Sequence, residues 1–471
     1  MNVLLINPIS RDDYGKNLRF PLSLAYISNA LMKNHRVEIL DLAVKKWNLT
    51  QLEELLPEYS HINVIGLTGL ITEYENIKNI SKLFKKYYPD KPIILGGAFA
   101  TSMPCEIIER TPVDIIVAGE GELTVKELFD KLSNKEDIST VSGICFKKDG
   151  KFISTGPREY ITDLDSIDIP SRKGFNIEHY FRNSPLVMFG SRKTLNMITS
   201  RGCPYNCFYC DKGTWGNRCR VRSPKNIVKE VEYLIDTFGV DSIVFHDDTF
   251  NINNERLLEF CDLLIDKNIR INWSSNCRVN NMTLEIAKKM RRAGCRMIAY
   301  GIESGNQDIL DSMKKGVKLP QVSRAIRATR QAGIIPFAYL MIGWFDETRE
   351  QVMDTIRFCM DNRLIGDFSF FTPVPHTPAF FKVQEERKLL DADAVLSNWG
   401  KWHLQKMVNV SSMTDNELVN LKRQAERKIL WDNLTNNIFL YIKALGIFSF
   451  LREIARRIIR YGIKGIRVRC E

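Results

Sequence analysis

The chain lacks a basic segment at its amino terminus and lacks an apolar run that could cross a bilayer. Residues 1–8, MNVLLINP, have none of the charge that opens a secretory signal, and they predict a buried first strand instead. The apolar stretch 437–451 is interrupted by polar residues and is too short to span a membrane. With a mean hydropathy of −0.20, these absences predict a globular protein of the cytoplasm.

Disulfide bonds are also not expected, although the chain contains 11 cysteines. Without a secretory signal the thiols should stay reduced, and reduced thiols in a long chain favour metal binding. Three of them lie in residues 200–210, SRGCPYNCFYC, at a CxxxCxxC spacing. This run has no second, separated CxxC pair, although zinc sites usually have one.

The CxxxCxxC run predicts an iron–sulfur cluster. Three thiolates from one tight loop can hold three irons of a cubane cluster, which leaves the fourth iron without a protein ligand. An open coordination position indicates catalysis, because structural metal sites close their shells. The alternative is a zinc site that recruits Cys219 as its fourth ligand.

The same run resembles the signature of the radical SAM superfamily. The resemblance implies a 4Fe–4S cluster on Cys203, Cys207 and Cys210, with the amino and carboxylate groups of S-adenosylmethionine on the fourth iron. Reductive cleavage of the sulfonium would then give methionine and a 5′-deoxyadenosyl radical. Tyr209 matches the aromatic position that contacts the adenine in this superfamily.

In the N-terminal third, short apolar runs alternate with segments of helical periodicity. This rhythm predicts an α/β fold with a doubly wound, Rossmann-like parallel sheet. The ligands of such sheets lie beyond the carboxyl ends of the strands. Polar and glycine-rich stretches follow three of the predicted strands, and the candidate cofactor contacts in them are Thr68, Gly96, Gly97, Glu120, Gly121 and Glu122.

These stretches together resemble the cobalamin-binding domain of cobalamin-dependent radical SAM enzymes. The resemblance implies that the Gly-Gly stretch and the Gly-Glu-Gly-Glu stretch border the cofactor. The loop at 10–15, where a DxHxxG motif would supply a cobalt ligand, contains no histidine. The implied cofactor is therefore base-off cobalamin without a histidine ligand, and the alternative is a degenerate domain that binds none.

We predict four parts of the chain. Residues 1–155 form the cobalamin-binding domain, and residues 156–195 form a linker in which proline, glycine and acidic residues break the periodicity repeatedly. Residues 196–385 form the radical SAM core. Residues 386–471 form a basic, helical C-terminal extension.

The core reads as six strand–helix units, which predict a partial (βα)6 barrel of the TIM type with ligands at the strand C-termini. Asp247 and Asp248 follow one strand, and the resemblance implies that this strand end binds the methionine ammonium group; a helix N-cap is the alternative. Ser275 and Arg278 offer donors for ribose and carboxylate oxygens, and Glu303 can accept bonds from ribose hydroxyls.

His376 follows the last predicted strand of the core, where the family often has glycine. It is a candidate substrate contact or proton donor. The alternative is an ordinary solvated histidine of a loop.

The resemblance favours cobalamin-dependent methylation of an unactivated carbon. The alternatives are radical cyclisation, oxidation or rearrangement without methyl transfer, and a cobalamin or redox sensor that is not an enzyme. The expected partners are a small-molecule or lipid-like substrate and a reductase such as flavodoxin or ferredoxin. Nucleic acid is not expected, because the first two-thirds of the chain are close to neutral.

The last part of the chain carries most of the net charge of +11, since residues 401–471 contain 14 Lys and Arg against 6 Asp and Glu. Four arginines between 452 and 460 recur at helical spacing beside three isoleucines. Such a helix suits an anionic membrane surface, which would make the enzyme peripheral at the inner membrane. The alternative is a helix that packs on the barrel.

We expect the full-length protein to co-sediment with vesicles that contain anionic lipid, and a chain that ends before Asn437 to stay in solution. Each basic residue near an anionic surface contributes on the order of 1 kcal/mol, and salt should weaken that part of the binding. Equal binding of both forms, or binding of neither, would identify the tail as a packing helix.

Overall fold

The computed structural model describes residues 1–8, 19–45, 47–181, 186, 190–387, 396 and 408–436. The loop at 10–15 and the basic tail from residue 437 lie outside these residues, so the predictions about them stay predictions. Within the described part of the chain, no helix has both the length and the apolar character needed to cross a membrane.

The N-terminal half contains one seven-stranded sheet in the order β2-β1-β3-β4-β5-β6-β7. Its strands are β1 Asn2–Asn7, β2 Arg36–Asp41, β3 Val64–Thr68, β4 Ile93–Gly96, β5 Ile115–Val117, β6 Ile144–Lys148 and β7 Lys151–Ser154. The first five strands pair in parallel, so the predicted doubly wound sheet is confirmed. The middle of β1 is fully buried because helices cover both faces of the sheet.

The helices of this half are α1 Leu22–Leu31, α2 Leu42–Lys45, α3 Leu49–Leu55, α4 Tyr74–Tyr87, α5 Ala98–Ser102, α6 Pro104–Arg110 and α7 Gly121–Asn134. The antiparallel pair β6 and β7 was not predicted. Asp149 and Gly150 turn this hairpin, and both have positive φ angles, 52° and 76°. Asp-Gly is the usual signal for a two-residue hairpin turn, so the sequence did contain the information.

The second half contains a six-stranded, all-parallel sheet in the order β15-β14-β13-β12-β11-β8, which confirms the predicted partial barrel. Its strands are β8 Thr194–Met197, β11 Ser242–Phe245, β12 Asn272–Cys277, β13 Cys295–Glu303, β14 Ile335–Ile342 and β15 Ile365–Phe370. A short antiparallel pair, β9 Ser200–Arg201 and β10 Arg220–Val221, lies between β8 and β11 in the chain. The helices are α8 Pro224–Phe238, α9 Asn254–Asp266, α10 Leu284–Arg292, α11 Gln307–Ser312, α12 Leu319–Gln331, α13 Arg349–Asp361 and α14 Pro378–Arg387.

One face of the barrel strands packs on the helices and the other lines the interior. Phe245 of β11 and Trp273 of β12 pack with Phe260 of α9, and the ring centroids are 5.6 to 5.9 Å apart. Because side chains alternate along a strand, the residues between these positions face the barrel interior. This alternation of side chains decides which polar residues of the strands can contact a ligand inside the barrel.

The barrel is open, and both of its edge strands are covered. The side chain of Asn196 on β8 donates to the backbone oxygen of Phe20, 3.0 Å away, and the Phe20 ring packs on Phe175 and Tyr180. A last described helix, Asp415–Asn436, packs on β15. Such covers prevent an edge strand from pairing with another chain.

The segment predicted as a linker packs tightly between the two sheets. Phe175, Tyr180 and Phe181 are buried in it. Arg172 is also buried, and its guanidinium lies 2.9 Å from Glu230 of α8. The predicted domain boundaries at 155 and 195 stay predictions, and the apolar side chains of residues 172–181 belong to the core.

A buried group of ion pairs, here called the ionic bridge, joins the two halves through Glu120, Glu122, Arg201 and Arg220. Arg201 contacts Glu120 at 2.9 Å and Glu122 at 2.5 Å, and Arg220 contacts Glu120 at 2.8 Å. All four side chains are at most 11% exposed. Burial disfavours the ionised form of Glu120, but hydrogen bonds from Arg220 and Arg201 outweigh it and lower its pKa.

We expect Arg201→Met to reduce the unfolding free energy by about 3–5 kcal/mol, because it leaves the buried carboxylate of Glu122 without its partner and Glu120 with Arg220 alone. Lys267→Met is the control, since its pair with Glu232 is 49% and 38% exposed. Removing that surface pair should cost less than about 1 kcal/mol. Urea unfolding followed by circular dichroism measures both, and equal losses would show that the bridge stabilises no more than a surface pair does.

Candidate functional site

The three cysteines of the CxxxCxxC run lie in one loop, here called the cluster loop, residues 202–213. It begins at Gly202, which has a φ of +85°. A Cβ atom there would lie 2.3 Å from the carbonyl oxygen of Arg218 and 2.8 Å from that of Trp215. Only glycine fits this position, and so the chain can turn sharply before Cys203.

The cluster loop is fastened to the barrel and to the N-terminal sheet. The Phe208 N–H donates to the Met313 carbonyl at 2.9 Å, and the Ala379 N–H donates to the Phe208 carbonyl at 3.1 Å. On the opposite side, the Ser102 hydroxyl donates to the Asp211 carboxylate at 3.0 Å. The loop therefore lies between the segments that follow β13 and β15 and the helix that follows β4.

The three thiols fit the cluster predicted for them. Cys203 lies 3.8 Å from the Thr249 hydroxyl, and Cys207 lies 3.8 Å from a guanidinium nitrogen of Arg278. Desolvation, then the neighbouring Cys207, Asp248 and Cys203, raise the pKa of Cys210 to about 12. Thiols that repel one another as thiolates need a cationic group between them, which an iron cluster supplies.

The zinc alternative receives no geometric support. Across the described ranges, no group of three or more Cys, His, Asp or Glu side chains is arranged to hold one metal ion. In a cubane cluster each thiolate binds a different iron, so the thiolates lie farther apart than the ligands of a single metal ion. Burial raises the pKa of Cys219 to about 11, and this thiol is half-buried.

Asp247 has a structural role that the sequence analysis did not assign to it. Its fully buried carboxylate accepts bonds from the Thr199 and Ser200 N–H groups and from both of their hydroxyls, at 2.5 to 2.9 Å. These four bonds fix the segment between β8 and β9 and leave the carboxylate no room for a ligand. The predicted contact between this carboxylate and the methionine ammonium is wrong.

Asp248, in contrast, is open to water. Desolvation, and then the charge of Asp247, still raise its pKa, so protein surrounds the carboxylate on several sides. The side chain also acts electrostatically on Cys210. The prediction that Asp248 receives the ammonium group is consistent with this position beside the cluster loop.

Ser275 faces the wrong side of β12. It pairs in register with Phe245 and contacts Cys277 at 3.5 Å, so its hydroxyl lies on the helix-covered face. The predicted cofactor contact of Ser275 is therefore wrong. The neighbouring Ser274 and Asn276 face the interior, and the buried Trp273 was the sequence signal that could have set the phase.

Arg278 reaches the cluster loop, as predicted for a site residue. Its guanidinium stacks over the Tyr205 ring at 3.6 Å, lies near Cys207, and donates to the backbone oxygen of Lys315. It thereby joins the loop to the segment after α11. A planar cation here can also receive a carboxylate.

Glu303, Lys315 and Tyr209 form a buried group beside the cysteines. The Lys315 ammonium lies 2.9 Å from the Glu303 carboxylate and donates to the Tyr209 hydroxyl, also at 2.9 Å. Burial, then Glu303 and Cys207, raise the pKa of Tyr209 well above its usual value. Sequence reasoning missed Lys315, because a Lys-Lys-Gly sequence after a helix usually indicates a solvated turn.

His376 lies on an exposed turn with a φ of 61°, three residues before Ala379, which binds the cluster loop. Its ring lies 6.0 Å from the ring of the exposed Phe381. Its role as a substrate contact stays a prediction.

The carboxyl ends of β3, β4 and β5 meet at one edge, as the cobalamin prediction requires. Thr68 pairs with Gly96, and a Cβ at Gly97, which has a φ of +98°, would lie 3.1 Å from the Thr68 hydroxyl. A Cβ at Gly119 would meet nothing within 4 Å. This open glycine edge fits a large ligand that approaches the backbone closely.

The Gly-Glu-Gly-Glu stretch differs from the prediction in its side chains. Both carboxylates, of Glu120 and Glu122, are held in the ionic bridge. A Cβ at Gly121 would lie 2.7 Å from the Ile27 side chain, so this glycine allows α7 to pack on α1. Only the backbone of the stretch remains available to border a cofactor.

Two family models match this chain. The model described as the Radical SAM superfamily matches residues 197–359, and the B12 binding domain model matches residues 16–129. Together they span more than half of the chain.

Similar proteins are known from sequence and from structure. The chain is 29% identical over 409 residues to an uncharacterized methyltransferase of Pyrococcus horikoshii, and the match covers 86% of both chains. It is 30% identical over 386 residues to the anaerobic magnesium-protoporphyrin IX monomethyl ester cyclase of Cereibacter sphaeroides, which covers 79% of this chain and 61% of the cyclase. The structure of the methyltransferase TsrM from Kitasatospora setae, with cobalamin and a [4Fe-4S] cluster bound, superposes with a TM-score of 0.70 at 20% identity, over 82% of this chain and 75% of TsrM.

The matched family models, the glycine-lined edge of the first sheet and the three-cysteine loop at the mouth of the barrel agree. The protein belongs to the cobalamin-dependent radical SAM enzymes, whose cofactors are a 4Fe–4S cluster, S-adenosylmethionine and cobalamin.

Proposed function

We propose that this enzyme methylates an unactivated carbon of a small-molecule substrate. The observation that carries the proposal is the position of the cluster loop, which contacts both the helix after β4 of the N-terminal sheet and the segments that follow β13 and β15 of the barrel. A radical formed at the cluster and a methyl group carried by cobalamin would then meet at one place. The named methyltransferases among the similar proteins support the same activity.

The bound cofactors supply a 5′-deoxyadenosyl radical, which abstracts hydrogen, and a transferable methyl group. The residues of the chain bind and orient them. Cys203, Cys207 and Cys210 hold the cluster; Arg278 and Asp248 receive the carboxylate and ammonium groups of S-adenosylmethionine. The Glu303–Lys315 pair fixes the Tyr209 ring for the adenine.

One test of the proposed function concerns the cluster. Anaerobic reconstitution should give about four irons per chain. Changing Cys203, Cys207 and Cys210 together to Ala should abolish both the bound iron and the formation of 5′-deoxyadenosine. Cys219→Ala should preserve both. A loss as large as that of the triple variant would show that Cys219 is a fourth ligand and that no iron of the cluster lacks a protein ligand.

A second test concerns cobalamin. Protein purified anaerobically with cobalamin should give a cob(II)alamin electron paramagnetic resonance signal without nitrogen superhyperfine splitting, because the 10–15 loop has no histidine. Protein that retains no cobalamin would identify the degenerate domain and remove the proposed methyl transfer.

Cyclisation is the second candidate function, which the similarity to the cyclase supports. The ratio of S-adenosylhomocysteine to 5′-deoxyadenosine distinguishes it from methylation. Each methyl transfer consumes one S-adenosylmethionine for the radical and another for the methyl group, with two electrons from a reductase. Methylation should therefore give equal amounts of S-adenosylhomocysteine and 5′-deoxyadenosine. A cyclisation gives 5′-deoxyadenosine alone, and mass spectrometry with substrate from host extract measures the two products.

Two partners belong to this proposal. A flavodoxin or ferredoxin would supply the electrons, and the basic tail would bring the enzyme to an anionic membrane that holds a lipid-like substrate. The charge of residues 401–471 supports the second contact.

A further inference from the structure

Two aromatic side chains of β14 face the barrel interior with much of their surface uncovered. Phe337 and Tyr339 alternate with Ala338 and Leu340, which are at most 2% exposed and lie on the helix side. The rings of Phe337 and Tyr339 lie 5.4 Å apart at an angle of 73°. Tyr339 is 45% exposed, which is unusual for a large ring in the middle of a parallel sheet.

The neighbouring strand leaves room above these rings. In the register of β13 and β14, Ala299 lies beside Phe337 and Gly301 lies beside Tyr339. These two positions have the smallest side chains available, so the floor of the barrel is flat there. The Glu303 and Lys315 side chains border the space over Gly301, so a ligand ring on the tyrosine would lie beside that pair.

The exposed rings lie next to the proposed S-adenosylmethionine site. A Cβ at Gly301 would lie 2.8 Å from the Glu303 carboxylate and 3.0 Å from the Lys315 ammonium. Met341, the next inward-facing residue of β14, packs in the apolar cluster that contains Tyr209 and Phe208. The rings are therefore one residue step below the group that holds Tyr209.

Charged groups of opposite sign lie near the Tyr339 side chain. Asp367 of β15 is exposed and pairs in register with Tyr339. Burial raises the pKa of Tyr339, while Arg19 lowers it and Asp367 raises it further. Arg19 also contributes, after burial, to lowering the pKa of His246 to about 4. Neither Arg19 nor Asp367 forms an ion pair with another residue of the described chain.

We propose that Phe337, Tyr339, Ala299 and Gly301, here called the inner wall, bind the substrate, and that the substrate carries a planar ring system which lies on Tyr339. Asp367 and Arg19 then receive polar substituents at the edges of the ring. Aromatic faces prefer offset-stacked or edge-to-face partners, so a planar ring matches this surface better than an alkyl chain does. The inference rests on the proposed function, because it names the substrate class of the same site.

The test uses anaerobically purified enzyme with cluster and cobalamin, and protoporphyrin IX as the planar probe. Fluorescence polarisation measures its binding. Tyr339→Ala and Tyr339→Leu should each weaken binding about tenfold, because both lose the ring and the leucine keeps the apolar volume. Tyr339→Phe should bind as the unchanged protein does. The matched control is Tyr87→Ala, which removes a ring that is 41% exposed outside the barrel.

Each outcome decides for or against the inner wall. Tenfold weakening by the two Tyr339 variants, with no displacement of the probe by the non-planar carboxylate cholate, supports it. No binding by the unchanged enzyme, displacement by cholate, or equal weakening by Tyr87→Ala overturns it. Iron content, cobalamin content and 5′-deoxyadenosine formation of the unchanged enzyme are measured separately. A failure of the proposed function changes these three measurements, whereas a failure of the inner wall changes only the binding of the probe.

Discussion

The contact of Arg201 with Glu120 and Glu122 is the interaction on which the arrangement of this enzyme depends. Arg201 ends β9, two residues before the first cluster cysteine, and the two carboxylates lie where the N-terminal sheet turns towards its cofactor edge. A charge group buried this deeply is tolerated only when every partner is in place. The ion pairs therefore couple correct folding of the first sheet to correct placement of the cluster loop, and the Ser102–Asp211 bond repeats that coupling at a second point.

Several side chains of the candidate site combine exposure with desolvation, which is typical of a concave surface. Cys210, Asp248 and Tyr339 are open to water, yet desolvation shifts the pKa of each of them upwards. A side chain on a convex surface is exposed and well hydrated, whereas one in a concavity is exposed and still surrounded by protein. The same low-dielectric surroundings strengthen the charge contacts that orient a cofactor.

The parallel sheets of both parts and the three-cysteine loop could be predicted from the sequence, because apolar periodicity and cysteine spacing are local. The roles of single side chains could not be predicted from the sequence in the same way. The sequence analysis predicts Ser275 as a donor to the cofactor, but the buried Trp273, two positions earlier on β12, marks that face of the strand as covered. Asp247 and Asp248 are adjacent and chemically identical, and only the folded chain shows that Thr199 and Ser200 occupy the first of them. Lys315 meets Glu303 and Tyr209 through tertiary packing alone.

The open form of the barrel leaves space for the proposed substrate. In a closed eight-stranded barrel, layers of side chains fill the interior. Here six strands leave the barrel open, and the segment at Phe20 and the helix Asp415–Asn436 contact its two edge strands. Ala299 and Gly301 keep the floor low beside the exposed Tyr339. The small number of strands and the small side chains thus both leave an aromatic surface uncovered. This surface lies one residue step from the Tyr209 group, beside the site proposed for S-adenosylmethionine.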